Sequence, residues 1–461
     1  MSALTWMGYV LVLAFWGLSI WREGGLGIGT RFMYGANLFL FFLFGPLLGQ
    51  VTGRTLNNPR YVQYPIEQAV QLAQLGMVVY VASAYWLLPL LIGRRSLMPV
   101  GFAQRVADPL RLRSQHRLAW GFIVVGLLCA PLVRRTQGLP TIGAVLSQTA
   151  LLVDTGLLML CLHTAYGGRR WPLLLGAGCY LLKYLMYASL SGHAGTLFIN
   201  GMVMVCIGLF ALRIRIIWIP LLVCTGVLLF IPAAFWLHGR DRLRTAIKEG
   251  ADTEDKLTET ITIFLDPPPL EDLDLVQAYR SRGDFSDLMA AALVHTPAVQ
   301  PHAWGETYYQ TFVAVFPRAL WPDKPVSLGG SQYVSRYTGI RFGENTSVGM
   351  NYLFEMYVNF GYPGVVAGMV LLGLLLGWME SVYYKRGPTN LFFEAVVVHT
   401  GWTICFLTDK LADMVMVVIP GIVLVWTLCR ILRSVLGLPA RIAVPREQPL
   451  SPTRDTHHTA V

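Results

Sequence analysis

The chain has 461 residues, of which 54% are hydrophobic and only 13% charged, and it carries a net charge of +10. A soluble protein holds about a quarter charged residues, so this composition excludes an ordinary water-soluble domain. No basic stripe with interleaved aromatics accompanies the positive charge, which excludes the usual nucleic-acid footprint.

Apolar runs of roughly 18–25 residues recur along the chain, and about 20 are needed for a helix to cross the hydrocarbon core. Helices are expected because lipid offers backbone groups no other partners. The pattern predicts spans near residues 2–20, 32–51, 70–92, 118–133, 141–163, 171–190, 194–212, 216–237, 353–379, 390–408 and 414–432, the fourth being the shortest. The first run lacks a basic region and a small-x-small cleavage site and reads as a retained helix, not a signal peptide. The expected fold class is therefore all-α, a polytopic membrane protein of about 11 transmembrane helices. Residues 1–237 form a bundle of about eight spans, 238–352 a large loop, 353–437 a bundle of about three, and 438–461 a polar, proline-containing tail expected to be disordered.

Cations near span ends set orientation. The loop 93–117 carries Arg94, Arg95, Arg105, Arg111, Arg113 and Arg117, which places it in the cytoplasm. Alternation then puts Arg169, Arg170, Arg213, Arg215, Lys385, Arg386 and the C-terminal tail inside, with the N-terminus and the 238–352 loop outside. That loop has 11 Lys and Arg against 15 Asp and Glu, a net of −4. The seven cysteines lie inside or at the edges of spans, without CxxC or His/Cys metal spacing, and read as packing residues.

A loop of this length must have structure of its own. Residues 242–265 alternate charged and apolar residues with a helical period, predicting an amphipathic helix at the membrane, and a second helical stretch is expected near 283–296. Further on, FPRALWPDKP (316–325) sets two cations, an acid and an indole between prolines, which hold Arg318, Trp321, Asp323 and Lys324 on a stiff backbone. Arg336, Arg341 and Glu344 follow. Asn351, Glu355 and Asn359, at i, i+4 and i+8, share one helical face leading into the ninth span. An acid there usually faces a cavity or a partner, and Glu355 is expected at the mouth of an outward-facing cavity, within reach of the loop cations.

Each feature has a plainer reading. Arg318 and Lys324 could serve loop structure or touch lipid headgroups, and Glu355 could merely cap or pair at the start of a helix. Asp154 and Lys183 lie at similar depths in neighbouring spans and read as a buried ion pair. His163 and His399 read as packing residues, and Asp409, Lys410 and Asp413 as solvated charges in an outer turn. HExxH, GxSxG and glycine-rich phosphate loops are missing from the sequence, so no cofactor and no protein-bound metal are expected.

The stretch FPRALWPDKP followed by FEMYVNFGYPGVVAGMVLLG (354–373) resembles the Wzy-type O-antigen and exopolysaccharide repeat-unit polymerases. Members often carry a PR-x-(F/L)-W-P-(D/N)-K-P stretch, here Pro317, Arg318, Trp321, Pro322, Asp323, Lys324 and Pro325. An E-x-Y-x-N-F-G-x-x-G helix start then follows, here Glu355, Tyr357, Asn359, Phe360, Gly361 and Gly364. Ser191, Gly192 and His193 stand where members often have Gly-Ser-Arg, a departure from the pattern.

The resemblance implies a glycosyltransferase-C-like fold in a bacterial inner membrane and a metal-independent glycosyltransferase. It would join polyprenyl-pyrophosphate-linked glycan donor and acceptor on the periplasmic side, with chain-length regulator and flippase proteins as partners. Arg318 and Glu355 are then the catalytic candidates, and Trp321, Asp323, Lys324, Arg336, Arg341, Asn351 and Asn359 the substrate-binding ones. The chemistry of the residues agrees with this. Preorganised cations stabilise a leaving pyrophosphate, a carboxylate takes a proton from a hydroxyl, and aromatic faces hold sugars. A lipid-linked oligosaccharide flippase and an O-antigen ligase are the rival readings. Flippases tend to show internal repeats, which this sequence lacks, and ligases share the donor chemistry but use a different acceptor.

Overall fold

A computed structural model of the chain describes residues 1–23, 28–53, 64–93, 106–135, 148–191, 252–266, 283–316, 330–342, 348–405 and 410–439, with single positions between 201 and 279 and at 321 and 323. Among the described residues all regular structure is helical. The helices are α1 (Ala3–Glu23), α2 (Thr30–Thr52), α3 (Ile66–Ile92), α4 (Pro109–Arg135), α5 (Leu151–Ala165), α6 (Trp171–Ser191), α7 (Thr253–Leu265), α8 (Ser286–His295), α9 (Glu306–Val315), α10 (Gly330–Thr338), α11 (Tyr352–Arg386), α12 (Leu391–Ile404) and α13 (Leu411–Leu436).

Five of these, α1, α2, α3, α11 and α13, are long and apolar enough to cross a membrane among the described residues. They fall on the first, second, third, ninth and eleventh expected runs. The helices α5 and α12, of 15 and 14 residues, are apolar but shorter than a full span. The runs 194–212 and 216–237 lie almost wholly outside the described residues, as does the tail beyond its first two positions. Of the expected amphipathic helix at 242–265, α7 covers Thr253–Leu265, opened by Asp252, whose carboxylate accepts from the Asp255 N–H at 2.8 Å, and half of 242–251 lies outside the described residues. The stretch at 283–296 becomes α8, whereas α9 and α10 were not anticipated.

At the centre α3 packs against α1, α8 and α11, and α11 packs against α2 and α12. Beyond α12 come α13 on one side and α5 on the other, with α4 and α6 on α5. Where α11 crosses α3, Gly373 and Gly377 let the backbones touch. A Cβ on Gly373 would come within 2.2 Å of Ser83 Oγ, and one on Gly377 within 2.5 Å of a Leu88 methyl. Small residues four apart are the usual way that membrane helices approach closely.

Both α2 and α3 contain a π-helical turn, at Leu40–Phe44 and Ser83–Leu87. Each ends two residues before a proline, Pro46 and Pro89. A proline inside a helix lacks its N–H and pushes against the carbonyl four residues back, and a widened turn absorbs that misfit. The carbonyls this turn frees are taken by other groups: Leu43 O accepts from Tyr9 Oη at 2.8 Å, Phe41 O from the Phe285 N–H at 2.7 Å, and Ala84 O from Arg31 Nη1 at 3.2 Å.

Among the described residues three ion pairs lie buried inside the bundle. Arg31 Nε meets Glu380 Oε2 at 2.6 Å, and Arg111 Nη2 meets Glu394 Oε2 with both side chains fully buried. Lys183 Nζ meets Asp154 Oδ2 at 2.5 Å, the pairing expected from their matched depths. In an apolar interior an unpartnered ion is costly, so such groups are held in pairs.

Candidate functional site

Asn351 opens α11. Its backbone is extended and its Oδ1 accepts from the Phe354 N–H at 2.8 Å, an N-cap. Glu355 and Asn359 follow on the same face, and Asn351, Glu355 and Asn359 are 2%, 1% and 0% exposed. The helical path then breaks at Gly361, with φ 67° and ψ −150°, a left-handed conformation that glycine adopts without strain. Pro363 follows at once and cannot donate back into the preceding turn. The carbonyls left over at the break are satisfied by the chain before α9: Val358 O accepts from Ala303 N–H at 3.0 Å and Asn359 O from Trp304 N–H at 3.2 Å.

Asn359 locks this junction. Its Oδ1 accepts from Gly305 N–H at 3.0 Å, and its Nδ2 donates to Thr307 Oγ1 at 2.6 Å and to Glu355 O at 2.8 Å. Two of these bonds hold the start of α9 to the break, and the third ties the amide back to its own helix.

Glu355 is different. Its Oε2 accepts from the N–H of Leu411, the first residue of α13, at 2.8 Å, so the side chain of one helix caps another. Its Oε1 is buried and makes no well-formed hydrogen bond, although the Thr307 hydroxyl is near enough to favour the carboxylate. The groups closest in electrostatic reach are the Thr307 hydroxyl, the Lys410 ammonium and the Asp413 carboxylate. The expected open cavity mouth is thus corrected: the carboxylate is sealed between α9 and the start of α13, because it serves as the cap that α13 lacks from its own sequence.

Lys410 is a second correction. Reading it as a solvated charge fails, since it is 2% exposed, stands 5.1 Å from the centre of the Tyr333 ring and lies 3.8 Å from Asp413. Asp413 is half exposed, and Asp409 lies outside the described residues. Tyr333 stacks on Tyr337, one turn along α10, with centroids 6.3 Å apart. The Tyr333 hydroxyl is buried without a partner; burial, then the Glu306 charge, push its pKa up, so it stays a donor. Arg336 pairs with Glu306 at 2.9 Å and covers the Tyr337 ring at 5.3 Å.

Of the residues singled out in the sequence, the fold brings together Asn351, Glu355, Asn359 and, on the rim, Arg336. Arg341 is exposed beyond the end of α10, Asp323 is exposed, and Trp321 meets Phe316 edge-on at 6.3 Å, away from this cluster. Arg318 and Lys324 lie outside the described residues. Thr307, Tyr333 and Lys410 were missed. The Tyr333–Tyr337 spacing of four was a legible sign of one aromatic face, but nothing in the local sequence ties it to Lys410.

Beside the buried cluster lies an exposed aromatic rim. Trp304, 74% exposed, contacts Phe360 with centroids 6.2 Å apart, and Tyr308 contacts the same ring at 6.0 Å. Tyr309, Phe312 and Tyr362 are exposed nearby in sequence on α9 and α11. The arrangement offers a proton acceptor, a buried cation, phenolic donors and apolar ring faces within one junction. Among the described residues no three His, Cys, Asp or Glu side chains converge as metal ligands would.

Residues 97–401 match the family described as a domain of unknown function, DUF8712. The chain belongs to that family. The DUF8712 match runs from ahead of α4 into α12, so it includes Glu355, Asn359, Thr307 and Tyr333 and stops short of Lys410. No curated protein and no solved structure matches the chain.

Proposed function

We propose that the chain is a repeat-unit polymerase, joining polyprenyl-pyrophosphate-linked oligosaccharides into an O-antigen or exopolysaccharide at the periplasmic face of a bacterial inner membrane. The observation that carries this reading is Glu355, a buried carboxylate with one oxygen capping α13 and the other without a well-formed hydrogen bond, within electrostatic reach of the buried cation Lys410. In the reaction, an acceptor hydroxyl attacks the anomeric carbon of the donor glycan. The new C–O bond forms as the bond from that carbon to the pyrophosphate breaks, and polyprenyl pyrophosphate leaves with the bonding pair. The hydroxyl proton passes to Glu355 Oε1. Lys410, with Arg318 and Lys324 of the proline-rich stretch, offsets the charge that grows on the leaving group. The rings of Trp304, Phe360 and Tyr309 supply apolar faces for sugars. Access to Oε1 requires the segment 303–307 to lift from Asn359.

The same proposal carries eleven spans, N-terminus outside, C-terminus inside and the 238–352 loop in the periplasm, with flippase and chain-length regulator proteins as partners. A reporter fused near residue 260 should be active only as a periplasmic enzyme. One observation favours the flippase reading: α11 is interrupted at Gly361, and broken spans are common in transporters. Gene deletion followed by gel analysis of surface polysaccharide separates the readings. Single repeat units without long chains mean a polymerase, no surface repeat units a flippase, and polymer free of its lipid core a ligase.

A further inference from the structure

At the end of the bundle opposite Glu355, where α13 finishes and α12 begins, a groove of about 830 Å³ opens between the two helices. Its walls are apolar: Phe392, Phe393 and Val396 from α12, Ile422 and Trp426 from α13. One rim is cationic. Arg430 and Arg433 are exposed at successive turns of α13, Arg430 lies over the Trp426 ring at 4.0 Å, and Arg386, at the end of α11, stands 5.9 Å from Phe393. The acidic residue nearest in sequence, Glu394, is fully buried and already paired with Arg111. Among the described residues no carboxylate lines the groove to neutralise its rim.

Depth fits a membrane lipid. Arg430 follows the first residue of α13 by 19 positions, which is about 28 Å along a helix axis, close to the thickness of a hydrocarbon core. The two arginines therefore sit at headgroup level, and the apolar walls run from them toward the bilayer interior. Arginine meets phosphate oxygens with a planar fork, and two of them one turn apart can bracket one phosphodiester. Basic pockets between spans are the physical form of an anionic-lipid site.

We infer that this groove binds an anionic glycerophospholipid, its phosphodiester between Arg430 and Arg433 and an acyl chain along Trp426, Ile422 and Phe393. The site is separate from the Glu355 cluster and does not depend on the reaction proposed for it.

The test uses the full-length protein in detergent, titrated with phosphatidylglycerol or phosphatidylcholine, each with brominated chains. Phosphatidylglycerol should raise the thermal midpoint of the wild type, and phosphatidylcholine should not. It should also quench an emission component that Trp426→Phe removes. In the variant with Arg430→Gln and Arg433→Gln the apparent affinity for phosphatidylglycerol should fall roughly tenfold, with the midpoint in phosphatidylcholine unchanged. High salt should weaken the preference in the wild type itself, so the inference stays exposed even if that variant fails to accumulate. Equal quenching by both lipids, unaffected by salt, would mean unselective boundary lipid and overturn the site. Binding seen only after removal of residues 440–461 would make the chain's own tail the occupant and overturn it equally.

Discussion

The carboxylate of Glu355 and the backbone N–H of Leu411, 56 residues apart, meet at 2.8 Å. Through this contact the first turn of one long apolar helix supplies the cap of another, and one residue serves both architecture and, in the proposal above, chemistry. The two roles can be separated because they use different oxygens.

Glu355→Gln keeps an oxygen for the Leu411 N–H and removes the proton acceptor. It should accumulate in the membrane like the wild type and yield single repeat units without long chains on polysaccharide gels. Glu355→Ala removes the cap as well, at a typical cost of about 1 kcal/mol or more, and should lower the thermal midpoint. Unchanged polymer from the Gln variant would leave Glu355 with the capping role alone.

Lys410 and Arg318 both serve the pyrophosphate in the proposal above, and their shares can be measured. Losing a preorganised donor to a developing anion costs roughly 10²–10³ in rate. Polymer synthesis by Lys410→Gln and Arg318→Gln, compared at equal membrane abundance, should show that loss in whichever cation touches the leaving group. Arg318→Lys, which keeps charge but loses the fork, should be impaired if Arg318 is that cation.

The Arg111–Glu394 pair gives a stability prediction independent of function. Arg111→Met or Glu394→Met alone strands a buried charge and should cost about 3–5 kcal/mol, whereas the double variant should recover most of the loss. Thermal unfolding in detergent of all three variants checks this, and simple additivity would show that the pair is not coupled.

Gly361→Ala places a Cβ at φ 67°, 3.4 Å from His302 Nε2. At ψ −150° that region is essentially glycine's alone and costs another residue about 1–3 kcal/mol, so the thermal midpoint should drop while the helix content by circular dichroism stays the same. The same change at Gly53, in the left-handed helical region with open space around it, should cost only about 1–2 kcal/mol.

Five helices long and apolar enough to cross a membrane were legible because length and hydropathy decide them, and the Asn351–Glu355–Asn359 face was legible because helical spacing decides it. The burial of Lys410 was not. Whether a charge beside a span is solvated depends on which elements fold over it, and here α10 comes from about 75 residues earlier in the chain to lay Tyr333 across it. The break at Gly361 was only half legible: the FGYPG stretch announces an irregularity, but not that the freed carbonyls would recruit residues 303 and 304. The π turns ahead of Pro46 and Pro89 were open to inference, since a proline within an apolar run demands some local release.

The pairing of Arg31 with Glu380 spans 349 positions. Synthesis at about 5–20 residues per second means that roughly 17–70 s separate the two residues as they leave the ribosome. During that interval Arg31 has the Ala84 carbonyl and the Tyr85 ring within reach but lacks its carboxylate. The N-terminal helices can therefore reach their final seating only near the end of translation. Chains truncated before residue 380 should be prey for membrane proteases, and a Glu380→Gln chain should share that fate although every hydrophobic span in it is intact.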